Sequence, residues 1–147
     1  MIARTARLVA LAIAVFTAIV ALPTAHSASA YRVIVHPQNA VTSLDRSFVA
    51  DAFLKKTTRW PNGEPIRPVD LVAHAPARGS FTHDVLRRSV AAVKSYWQQQ
   101  IFSGRDIPPP ELDSGAAVRE YVLKHRGAVG YVAGDVDVGA AKIVTVR

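Results

Sequence analysis

Val72 to Leu86 reads VAHAPARGSFTHDVL, an apolar strand end that runs through a turn into an amphipathic helix. The rest of the chain repeats that change of period. The first N–H groups of a helix have no intrahelical partner, and the summed peptide dipoles leave partial positive charge there. A phosphate, sulfate or carboxylate therefore finds donors already aimed at it. Two starts are open. With Pro76 as the first helical residue, the fixed φ and missing N–H suit that place, and Ala77, Phe81, Val85 and Arg88 follow along one side. With Ser80 as the cap, its hydroxyl would take the N–H of Thr82 or His83, and Gly79 would let the backbone approach a ligand closely. Either start sets Arg78, Gly79 and Ser80 at the helix front. The plainer reading is an ordinary capped helix whose Arg78 is solvated.

Upstream, Arg4 and Arg7 precede an uncharged apolar run from Leu8 to Leu22, Pro23 interrupts it, and Ala28-Ser29-Ala30 has the small residues that signal peptidase accepts. Residues 1–30 are read as a signal peptide, with export to the periplasm or beyond. The run is shorter than the roughly 20 residues of a bilayer span, so no stable membrane span is expected after cleavage. Cleavage leaves 117 of the 147 residues, from Tyr31, enough for one domain over 31–147. With Arg4 and Arg7 gone, 16 basic residues face 11 acidic ones, a charge of +5. These charges are scattered and lack an aromatic platform, which argues against a nucleic-acid partner. The absence of cysteine removes disulfides and thiolate metal sites, so stability must come from the core.

Tyr31 to His36 (YRVIVH) reads as a strand whose apolar run implies burial on both faces. A helix follows, capped by Thr42 or Ser43, with Leu44, Phe48, Ala52 and Phe53 apolar and Lys55-Lys56 closing it. Trp60-Pro61-Asn62-Gly63 makes a turn. Ile66 to Val72 is a second strand, with Pro68 at its start or on an edge. Strand, helix, strand predicts a parallel, right-handed crossover. Ser89 caps a further helix bearing Val90, Val93, Trp97 and Ile101, which ends at Ser103-Gly104. Pro108 to Pro110 hold an extended tether. Ser114 caps a last helix that runs to Lys124, His125 and Arg126, with Gly127 as its left-handed end. Strands over 128–132 and 142–147 close the chain. Helices alternating with strands indicate an α/β domain.

Other chemistry is poorly served. Ser80, His83 and Asp84 lie within one helical turn, whereas a hydrolytic triad draws on separate elements, and no nucleophile elbow is present. His36, His74, His83 and His125 are scattered, so no metal site is indicated. Trp60, Trp97 and Tyr121 are read as core. Neither an enzyme nor a cofactor protein is expected.

Three segments resemble one family. Phe53-Leu54-Lys55-Lys56-Thr57-Thr58-Arg59-Trp60 is similar to the Phe-Leu-Gly-Lys and following Trp of the phosphate-binding proteins of ABC importers. Gly127-Ala128-Val129-Gly130-Tyr131-Val132 is similar to their Gly-Ala-Ile-Gly-Tyr-Val. Between these, Tyr96-Trp97, Phe102-Ser103-Gly104-Arg105 and Pro108-Pro109 resemble small, single-lobe members of the periplasmic binding protein-like superfamily. The resemblance implies one three-layer α/β lobe of the type 2 periplasmic binding protein fold, with a mixed, mostly parallel sheet flanked by helices. It implies a non-enzymatic protein binding phosphate or a similar oxyanion, linked to an ABC permease. The family's Ser-Gly-Thr anion loop falls near Arg78-Gly79-Ser80, and a nearby family Arg falls near His74. Lys55 stands where the family has glycine. The alternative is an interaction module that has lost its ligand and contacts another protein or forms a homo-dimer.

Overall fold

The computed structural model describes residues 30–147, so the leader reading lies outside the described residues. Five strands form the main sheet: β1 (Tyr31–Val35), β2 (Ser43–Leu44), β3 (Arg67–Pro68), β6 (Ala128–Ala133) and β7 (Lys142–Val146), in the order β2-β7-β1-β6-β3. β3 runs parallel to β6 and β2 parallel to β7, while β1 is antiparallel to both β6 and β7. The sheet is mixed, as expected, but not mostly parallel: two of its pairings are parallel and two antiparallel, and the antiparallel ones are the longer because β1 lies between β6 and β7.

The predicted parallel crossover from the first strand to the second does not form. β6 separates β1 from β3, and the two run in opposite directions. The predicted second strand also divides. Val69 N still donates to Val129 O, but Asp70 N donates to Pro110 O and Val72 N to Leu112 O. β4 (Asp70–Leu71) thus leaves the main sheet to pair in parallel with β5 (Glu111–Leu112). Pro68, with no N–H to give, stays on the edge strand. The tri-proline tether is therefore the lead-in to β5.

The described residues form four helices: α1 (Arg46–Phe53), α2 (Pro76–Asp84), α3 (Val90–Phe102) and α4 (Gly115–Lys124). Ser89 and Ser114 cap α3 and α4 as predicted, accepting from Ala92 N at 3.1 Å and Ala117 N at 3.2 Å. Thr42 and Ser43 do not cap α1. Ser43 belongs to β2, and α1 starts after Asp45, which makes no side-chain cap bond. Past α1 the chain turns left-handed at Lys55, φ 54°, a conformation that favours glycine.

β6 shows how the layers are joined, because successive side chains point to opposite faces. A Cβ on Gly130 would lie 2.6 Å from Val118 and 3.4 Å from Val122, so that face receives α4 directly. On the other face Tyr131 stacks on Phe81 of α2, centroids 3.9 Å apart, and meets Phe53 of α1 at 5.8 Å. Helices thus cover both faces of the sheet. This accounts for the complete burial of Val33, Ile34 and Val35 at 0–2% exposure. Trp60 and Trp97 are core as expected, and Tyr121 is half-buried against His125.

Candidate functional site

The front of α2 forms by the first of the two starts. Pro76 is the first helical residue, Ala75 precedes it with φ −67° and ψ 130°, and no side chain caps the helix. Ser80 lies half-buried in the helix body, so its expected role as cap is corrected. The front is poor in donors. Pro76 has no N–H, and Arg78 N is committed to Ala75 O at 2.9 Å, which leaves the amide of Ala77, itself a buried residue. Gly79 is exposed with nothing within 4 Å of where a Cβ would sit. His74 is exposed in the turn before the helix, which Ala75 N closes onto Val72 O at 3.0 Å.

Arg78 does not stand in solvent beside these groups. It is 4% exposed and points inward, its Nη1 lying 2.9 Å from Asp70 Oδ1 and 3.2 Å from Glu111 Oε1 while donating to Leu71 O. Asp70, also 4% exposed, accepts in addition from the Tyr131 hydroxyl and from Leu71 N. The physical reason is the acid. A carboxylate in a buried strand must be paired and hydrogen-bonded, and the third residue of the following helix can reach it. Burial still holds the Asp70 carboxyl above the ordinary carboxylate range, outweighing Arg78, Tyr131 and the Leu71 amide. The Tyr131 hydroxyl is pushed up by burial first and by Asp70 second. The Arg78 charge is thus neutralised from within, and the field at the helix front falls accordingly.

Asp70 and Glu111 are residues that the sequence reading passed over. The available signal was an acid inside the apolar run from Ile66 to Val72, which demands a cation from elsewhere in the chain. His83 and Asp84 pair at the surface, 3.0 Å apart. Ser80 contacts neither through a hydrogen bond among the described residues, so no triad is assembled.

Hollows of about 480, 330 and 220 Å³ lie elsewhere on the surface. The largest opens between the start of β1 and the end of β7, beside Tyr31, Asp84 and Val146. The smallest is ringed by Arg67, Lys124, His125 and Arg126. None of His74, Arg78, Gly79 or Ser80 lines any of the three.

No family model and no curated protein matches the chain. Solved structures do. A substrate-binding protein ascribed to phosphate ABC transport in Clostridium perfringens, solved with phosphate bound, shares 19% identity at a TM-score of 0.61, over 80% of this chain and 44% of its own. An ABC-type phosphate transport receptor from Vibrio cholerae gives 20% identity and a TM-score of 0.61, over 80% and 46%. PstS from Borrelia burgdorferi gives 12% and 0.59, over 80% and 47%. These neighbours are transport proteins that bind substrates. The chain shares its fold with these proteins over 80% of its length and spans less than half the length of theirs.

Proposed function

We propose that the chain is an exported, periplasmic, non-enzymatic binding domain that holds a small oxyanion, phosphate first, and works alongside an ABC-type phosphate permease. The observation that carries this reading is the placement of the α2 front. It follows directly on the carboxyl end of β4, where open α/β folds gather their ligands, in a fold shared with phosphate-transport proteins. The ligand groups are the Ala77 amide, the His74 side chain and the flank formed by Gly79 and Ser80. Arg78 contributes from behind, already paired with Asp70. One free amide and an exposed imidazole form half a site open to water, where charge interactions are weak. A dissociation constant of about 1 mM, equivalent to about 4 kcal/mol, is expected.

A ¹⁵N–¹H titration of the mature protein with phosphate at constant ionic strength tests this. Saturable shifts at the Ala77 and Gly79 amides, weakened several-fold in His74→Ala, are expected. Flat traces up to about 20 mM phosphate would sink the reading.

A second reading, contact with another copy of the chain, is favoured by one feature. Phe102 is 90% exposed beside Ile101 at 51% and Ile107 at 66%, an apolar tip at the end of α3. Large apolar groups clustered in water mark contact surfaces. Sedimentation should then show a concentration-dependent dimer that Phe102→Ser abolishes. A monomer at all concentrations counts against it.

A further inference from the structure

The 220 Å³ hollow lies at the opposite end of β6 from the α2 front and brings together basic side chains from separate elements. Arg67 comes from β3, Lys124 from the last turn of α4, and His125 and Arg126 from the turn that follows. The backbone forces them into company. Gly127 sits so close to Pro65 that a Cβ would come within 2.0 Å of the Pro65 carbonyl oxygen. Gly127 O accepts from Arg67 N at 2.8 Å and from Trp60 Nε1 at 3.0 Å. The turn bearing Arg126 is therefore locked against the strand bearing Arg67.

Within this ring the acid present is Glu64, whose Oε1 is 3.9 Å from Arg126 Nε. Arg67 and Lys124 form no ion pair among the described residues. Cations at the end of a helix complement its dipole, which accounts for Lys124 but not for Arg67, which stands on a strand. His125 is oriented as well. Its Nδ1 lies 2.8 Å from Tyr121 O, and since a carbonyl only accepts, Nδ1 carries the proton while the ring stacks on Tyr121 at 4.2 Å. Like charges held together by rigid backbone repel one another, and a bound anion relieves that repulsion.

We infer that this hollow is a second anion site, taking a phosphate group through Arg67, Lys124 and Arg126 with His125 at its wall. It is independent of the α2 front, and either site can exist without the other. The phosphate group is carried by the free ion or by an anionic lipid headgroup, and the experiment separates the two.

The mature protein is titrated with inorganic phosphate, and separately with vesicles of phosphatidylglycerol or phosphatidylcholine, while the Arg126 and Gly127 amides are followed. Saturable shifts with inorganic phosphate support the site with the free ion as ligand. Shifts with phosphatidylglycerol vesicles alone support it with a lipid ligand. In Arg67→Gln/Arg126→Gln the affinity should fall at least tenfold, while His74→Ala leaves it unchanged. Unaltered resonances in the core verify that the double variant is folded. The inference is overturned if neither probe moves these amides, if sodium chloride of equal ionic strength moves them equally, or if the double variant responds like the parent.

Discussion

Replacing Arg78 by methionine is expected to destabilise the domain by about 3–5 kcal/mol, because a buried Asp70 loses its ion-pair partner while keeping its desolvation cost. The melting temperature should fall by roughly 10–20 °C. The pH dependence distinguishes this cause from simple loss of packing. The folded-state carboxyl of Asp70 lies above its unfolded value, so the native state binds the extra proton. Stability contributed by that group is full at pH below the ordinary carboxylate range and is lost as pH rises through the raised folded value. In Arg78→Met the guanidinium no longer favours the ionised acid, the folded value rises further, and the deficit should shrink on acidification. The double variant Asp70→Asn/Arg78→Met should recover most of the loss near neutral pH, since it leaves no buried charge. Thermal melts of the parent and the two variants between pH 4 and pH 8 measure this. A deficit of the same size at both ends would show that Arg78 acts by packing alone.

The same variant bears on ligand binding. If Arg78 only supports Asp70, phosphate affinity at the α2 front should change far less than stability does. An affinity lost in proportion would mean that the guanidinium reaches the anion directly.

The second large effect is expected at Gly127. In Gly127→Ala the new methyl would sit 2.0 Å from Pro65 O, and the obstacle is backbone on both sides. Relief requires the turn after α4 to lift from the edge strand, breaking the bonds that Gly127 O accepts from Arg67 N and Trp60 Nε1. Overpacking together with two hydrogen bonds amounts to about 3 kcal/mol or more. Gly79→Ala is the contrasting case. Gly79 is exposed inside α2, nothing lies within 4 Å of its added Cβ, and a gain of about 0.5–1 kcal/mol is expected from helix propensity. Chemical denaturation of the two variants checks both signs. If Gly127→Ala melts like the parent, the close approach to Pro65 is not rigid.

These effects separate what could be read along the chain from what could not. The local pattern predicts Gly127 as the left-handed end of the last helix, whereas its φ is not positive and its constraint comes from Pro65, sixty-two residues away. Gly63 in the Trp60-Pro61-Asn62-Gly63 turn does take positive φ, 84°, because that requirement arises within four residues. Ser89 and Ser114 were legible as caps for the same reason: a cap reaches only to the next turn. Ser43 satisfied the same local rule yet went to β2, because the end of β7 offered Ser43 and Leu44 a parallel partner.

The sequence by itself determined the helices, the caps at Ser89 and Ser114, the continuous apolar strand at Val33 to Val35 and the α/β class, all of which rest on period, capping and turn chemistry within a few residues. Only the tertiary structure decided that β1 runs antiparallel between β6 and β7, that the second predicted strand divides between two sheets, and that Arg78 turns inward. Each of these depends on a partner distant in sequence. Strand pairing satisfies backbone donors without regard to side-chain identity. The buried charge of Asp70 could choose Arg78 over solvent only once β4, α2 and β5 had come together.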